Sequence, residues 1–145
     1  MCTAPTLARA ILAAMGLLSL LGGSGAAEHR IHYRYIVLGY VTDSRGAAPA
    51  PTPVELVRNK TGFSYLGETD ASGFFLIIAR LGDESVGEAL TLRVGRAATT
   101  LTARFDPADH AAHRGTRVDV RGGTFQERAA AFAPTLSRFL ATEVR

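Results

Sequence analysis

The chain has 145 residues, 47% of them hydrophobic, which is the size of one ordinary domain with apolar material for one core. Its formal charge of +3 comes from 16 basic and 13 acidic residues, and the arginines are spread along the chain rather than gathered in a run. That spread argues against a nucleic-acid face, and with Lys60 as the sole lysine most of the positive charge sits on guanidinium groups suited to pairing with scattered carboxylates.

Arg9, an apolar run from Ala10 to Leu21 and small residues from Gly22 to Ala27 follow the three-part order of a secretory signal. The run is shorter than the ~20 residues a membrane helix requires, and Gly22, Gly23, Ser24 and Gly25 break it. Residues 1–27 therefore read as a signal peptide cleaved after Ala26 or Ala27, which makes the protein periplasmic or secreted. The alternative is an uncleaved N-terminal membrane anchor. Cys2, the only cysteine, leaves with the signal and lacks the preceding apolar stretch of a lipid-modified cysteine. Without a disulfide, the remaining chain depends on a packed core.

From His32 to Thr42 two faces alternate: Tyr33, Tyr35, Val37, Gly39 and Val41 on one, Ile36, Leu38 and Tyr40 on the other. Asp43-Ser44-Arg45-Gly46 is a turn, because Asp can bond its own following backbone and Gly accepts positive φ. Pro49, Pro51 and Pro53 each lack an amide donor, so an extended stretch at an edge is expected until Val54 to Val57 resume pairing. Phe63 to Thr69 and Phe74 to Ala79 flank Asp70-Ala71-Ser72-Gly73, a spacing that predicts a hairpin. Phe74 to Ile78 is apolar on both faces, which predicts a central strand.

Three later segments alternate with one wet face each: Leu90, Leu92 and Val94 against Thr91 and Arg93; Leu101, Ala103 and Phe105 against Thr100, Thr102 and Arg104; Val118 and Val120 against Arg117, Asp119 and Arg121. The reading for residues 28–123 is an all-β, seven-stranded Greek-key β-sandwich. In residues 124–145 the period changes. Thr124 and Glu127 have capping-box spacing, and Ala129, Phe132, Leu136, Phe139 and Leu140 recur at helical spacing, so a short amphipathic C-terminal helix is expected, kinked or split at Pro134.

Three stretches, Gly39-Tyr40-Val41-Thr42-Asp43-Ser44-Arg45-Gly46, Val54-Glu55-Leu56 and Thr69-Asp70-Ala71-Ser72-Gly73-Phe74-Phe75-Leu76, resemble the carboxypeptidase regulatory-like domain, a transthyretin-like β-sandwich. The resemblance covers residues 33 to 95, and the later strands match by pattern alone. Thr52 stands where a glycine is common in that family. The resemblance implies an extracytoplasmic module that accompanies another activity as a folding, docking or ligand-contact part, and it implies no catalysis. The hydroxyisourate hydrolases on the related fold end in Tyr-Arg-Gly-Ser, a tail replaced here by Leu140 to Arg145.

The residues with metal-ligand chemistry are two histidine pairs, His29 with His32 and His110 with His113. Around the second pair, Asp106 and Pro107 suit the start of a helical turn, which would place both imidazoles on one face with Asp109 within reach of a copper or zinc ion. The same residues also suit a solvated loop between strands. If the mature chain began at Ala27, its amine, two amides and His29 could enclose Cu(II) in a square plane; cleavage one residue later removes that motif, and a frayed terminus is the plain alternative. Tyr33, Tyr35, Tyr40, Phe63 and Tyr65 are expected mainly in the core, with hydroxyls at its rim, and otherwise on a sugar- or peptide-binding face. Asn59-Lys60-Thr61 fits a glycosylation acceptor but reads as a turn with Gly62.

No nucleophile elbow, thiol or phosphate-cradling loop is present in the sequence after the signal. The functional expectation is therefore a non-catalytic exported module that contacts another exported or membrane protein and takes no cofactor. Phe132, Leu136, Phe139 and Leu140 are the candidate anchors for a partner or membrane face, and a lid over the sandwich is the alternative use of the same stripe. The alternative function is a periplasmic copper- or other metal-binding protein using His29 and His32, or Asp109, His110 and His113.

Overall fold

The computed structural model describes residues 31–144, so the signal-like segment, both cleavage sites and His29 lie outside the described residues. Eight strands follow in order: β1 (Tyr33–Thr42), β2 (Pro53–Arg58), β3 (Phe63–Glu68), β4 (Phe74–Leu81), β5 (Ala89–Val94), β6 (Ala97–Thr102), β7 (Arg114–Arg121) and β8 (Thr124–Glu127). One helix, α1 (Phe132–Glu143), closes the described chain. The strands form two four-stranded sheets, ordered β4-β1-β7-β8 and β3-β2-β5-β6.

The period-two pattern of β1 decides how the layers stack. Tyr35, Val37 and Val41 point into the main core with Phe75, Ile77, Ala79 and Leu81 of β4, and meet Val54, Leu56, Leu90 and Leu92 of the second sheet. Ile36 and Leu38 point the other way, where they join Phe74, Phe132 and Leu136 in a smaller core beneath α1. Both faces of the middle of β1 are thus dry.

The Asp43–Gly46 turn stands as expected. The Asp43 carboxylate accepts the amides of Arg45 (2.8 Å) and Ala47 (3.0 Å), while the Gly46 amide bonds the Asp43 carbonyl at 3.0 Å. Gly39 has a separate reason: a Cβ there would run into the Val118 carbonyl, because β1 and β7 approach closely. The parallel pairing of these strands skips Gly39 and Tyr40, and the Asp119 carboxylate accepts the Tyr40 amide (3.1 Å) in place of a backbone carbonyl.

Other expectations need correction. Among the described residues the strands number eight rather than seven, because Thr124 to Glu127 forms β8 and caps no helix. Gly122 and Gly123 both take positive φ (55° and 79°), which allows a two-residue hairpin turn joining Arg121 to Thr124. The helix therefore starts at Phe132, after a 3₁₀ turn over Ala129–Ala131. Pro134 falls in its first turn, where no intrahelical amide is needed, so α1 runs on to Glu143 without a break there.

The Asp70–Gly73 turn is also not a hairpin. It carries the chain from β3 in one sheet to β4 in the other; β3 pairs with β2 and β4 with β1. The Asp70 carboxylate accepts the amides of Ser72 (2.8 Å) and Phe74 (3.0 Å), and the Val41 amide bonds the Gly73 carbonyl (2.8 Å), so the turn docks onto β1 rather than aligning its own arms. The hairpin lies one turn earlier, at Asn59–Gly62 between β2 and β3. Consequently β4 is an edge strand, not a central one, although the opposite sheet and α1 cover most of its two faces. The proline-rich stretch likewise crosses between sheets into β2, which lies between β3 and β5. The remaining strand bounds shift: β6 ends at Thr102, before Ala103 and Phe105, and β7 begins earlier, at Arg114.

Candidate functional site

Three regions bear on function, and each side chain's surroundings decide what it can do. The first is the loop before β7. Asp106 and Asp109 each fold back on their own backbone, with the Asp106 carboxylate accepting the Ala108 amide (2.9 Å) and that of Asp109 the amides of Ala112 (3.1 Å) and Ala111 (2.9 Å). The expected helical turn is therefore a pair of tight turns. The amides on Asp109 hold its carboxyl below the usual carboxylate range.

His110 stacks flat on Tyr33, with centroids 4.6 Å apart, and its Nε2 lies 2.9 Å from Asp83 Oδ2. The other Asp83 oxygen accepts from Arg114 Nη2 at 2.9 Å. The Arg114 guanidinium is buried between the rings of Tyr33 (4.6 Å) and Phe105 (4.3 Å), and its Nη2 also donates to the Asp109 carbonyl at 3.2 Å. Burial pushes the Asp83 carboxyl up, yet the bonds from His110 and Arg114 outweigh it and the net shift is downward. The cluster clasps the loop to the start of β1 and β7. His110 thus faces Asp83 and Tyr33, while His113 shares only the rim of a shallow pocket with it. His32 stands apart, exposed before β1 on the rim of another pocket beside Phe63 and Arg80. Among the described residues no group of three or more His, Cys, Asp or Glu side chains is placed to hold a metal ion. Asp83, Arg114 and Phe105 carry no signal in the sequence, because only the fold brings them together across 31 positions.

The second region is α1. Phe132 and Leu136 are buried against Ile36, Leu38 and Phe74, and Phe139 is half-buried with its ring 5.4 Å from that of Phe74. Thr135 adds a polar tie: its hydroxyl accepts from Arg117 Nη1 at 2.9 Å, and Arg117 is held by two bonds of 3.0 Å to Asp119. Two of the four expected partner anchors are therefore consumed as a lid, a third is half-covered, and Leu140 alone of the set is exposed. No described helix is long and apolar enough to cross a membrane.

The third region is the flank where β3 and β4, one edge strand of each sheet, run side by side. Phe63 (59% exposed), Leu66 (79%) and Ile78 (42%) lie along a groove of about 600 Å³ that Tyr65, Leu76 and Arg80 complete. The Tyr65 hydroxyl bridges the strands, accepting from the Arg80 amide (3.2 Å) and donating to its carbonyl (3.4 Å). Of the aromatic residues, Tyr35 fills the core as expected, Tyr33, Tyr40 and Tyr65 lie at its margins, and Phe63 projects outward against the edge of Tyr65. One sequence signal points here. Leu66 sits between Ser64 and Glu68 on the otherwise polar parity of β3, a large apolar side chain on the wet face.

Compared with family models, with curated proteins and with solved structures, the chain matches none.

Proposed function

We propose that this chain is a non-catalytic exported module that works by protein contact, and that its contact surface is the β3–β4 flank rather than α1. The observation that carries the reading is the exposure of Phe63, Leu66 and Ile78 around one groove beside two strand edges, while most other large apolar side chains among the described residues are enclosed. Export rests on the signal-like order of residues 1–27. Kinship with the carboxypeptidase regulatory-like domain, with its Greek-key connection and docking role, belongs to the same proposal and is supported by the quoted motifs and by the two facing sheets. The partner is another exported or membrane protein.

The test is recovery of partners from the exported fraction with wild-type protein and with Leu66→Lys and Leu140→Lys variants. Loss with Leu66→Lys and retention with Leu140→Lys is the expected outcome. The opposite pattern would move the contact to the end of α1.

A further inference from the structure

We propose that the flank binds an extended peptide segment as an added strand along β4, with a carboxylate of the peptide seated at the Arg80 end. This inference rests on the contact reading above and adds the chemistry of the partner.

Backbone geometry is the first support. In an antiparallel ladder, amide and carbonyl of alternate residues point to opposite sides. Phe75, Ile77, Ala79 and Leu81 face β1, so Phe74, Leu76, Ile78 and Arg80 face the flank. The two ends of that row are already engaged: Phe74 bonds Asp70 through its amide (3.0 Å) and carbonyl (2.8 Å), and Arg80 bonds the Tyr65 hydroxyl through both groups. Leu76 and Ile78 remain without a backbone hydrogen-bond partner on this side, with Gly67 of β3 beside the Leu76 carbonyl, as a bracketed window about five residues long, or ~17 Å of extended chain.

The sheet edges differ in a way that singles out this one. β8 is only four residues long, a common means of blunting an edge, and β6 presents mainly alanine and threonine with no large apolar side chain exposed beside it. β3 and β4 carry no proline or lysine and present apolar side chains beside their edges. An edge of that kind recruits another strand.

Charge supplies the third support. The pocket that continues the groove past Arg80 is lined by His32, Arg58 and Arg80 and by no carboxylate. Arg58 is committed to Glu88 through two bonds of 2.8 Å, whereas Arg80 makes no ion pair among the described residues. The flank therefore favours a partner strand that carries an acidic group there. A second copy of this chain is the poorer fit, because it presents the same concavity and the same cationic end.

The experiment uses the signal-processed chain and three end-capped octapeptides of alternating valine and threonine: one with a terminal aspartate, one with lysine in its place, and one N-methylated on alternate amides. Hydrogen exchange at Leu76 and Ile78, followed by NMR up to millimolar peptide, is the readout. The aspartate peptide is expected to slow both amides by about tenfold or more. The lysine peptide should bind about two- to fivefold more weakly, Arg80→Glu should reverse that order, and the N-methylated peptide should give no protection. Absence of protection, equal effect of the N-methylated peptide, or protection that rises with protein concentration alone, which marks a second copy, would each overturn strand addition. If Leu66→Lys still abolishes partner recovery in those cases, the contact reading stands and only this inference falls.

Discussion

The outer face of the first sheet and the β3–β4 flank are both apolar, yet only one is covered by the chain itself. Ile36, Leu38 and Phe74 lie under Phe132 and Leu136 of α1, whereas Phe63, Leu66 and Ile78 look into solvent. The strand β4 contributes to both regions: Phe74 packs beneath the lid and Ile78 lies on the open flank. An apolar stripe is therefore no guide to a partner surface until the fold shows which stripes have already found each other. By that criterion α1 is a structural element, and the flank is an apolar surface that the described residues leave open.

The two regions should respond oppositely to mutation. Phe132→Ala should cost about 3–5 kcal/mol in denaturant unfolding, since it opens a cavity under the lid. A loss below about 1 kcal/mol would mean that α1 is not seated on the sheet as described. Asp119→Asn tests the polar tie beneath the lid and should cost about 1.5–3 kcal/mol. Burial raises the Asp119 carboxyl, but bonds from Arg117, the Tyr40 amide and Arg128 prevail and its pKa is lowered. A depressed carboxyl contributes stability that is present above the unfolded aspartate value of ~3.9 and is lost as pH falls through the folded value. The wild type should thus weaken in acid below about pH 4, and Asp119→Asn should flatten that dependence.

On the flank, Leu66→Lys should change stability by no more than about 0.5 kcal/mol while removing partner contact. Arg80→Glu should be equally mild in unfolding, with its effect confined to the charge preference of the ligand. A large destabilisation by Leu66→Lys would show that the side chain is enclosed, contrary to its 79% exposure.

Much of the fold is legible in the sequence because alternation carries it. The parity of Tyr35, Val37 and Val41 against Ile36 and Leu38 is enough to identify two dry faces. Pairing is less legible. Asp70-Ala71-Ser72-Gly73 has hairpin chemistry, but turn residues specify a reversal of direction and not which strand each arm will join. The glycine pair at Gly122 and Gly123 does carry a hairpin signal, and the capping-box spacing of Thr124 and Glu127 obscures it. The Asp83–His110–Arg114 clasp leaves no local trace, because its members come from separate loops and from β7. For the flank the trace is a single residue, Leu66 on the wet parity of β3. Two strand edges meeting side by side is a fact of topology that no local pattern encodes.

The most direct test of β4 as an open edge is hydrogen exchange along Phe74 to Leu81 in the free chain. Slow amides at Phe75, Ile77, Ala79 and Leu81, with fast ones at Leu76 and Ile78, are the predicted result. Uniform protection across all of them would mean that another strand already covers this side, and the flank could not be the free surface.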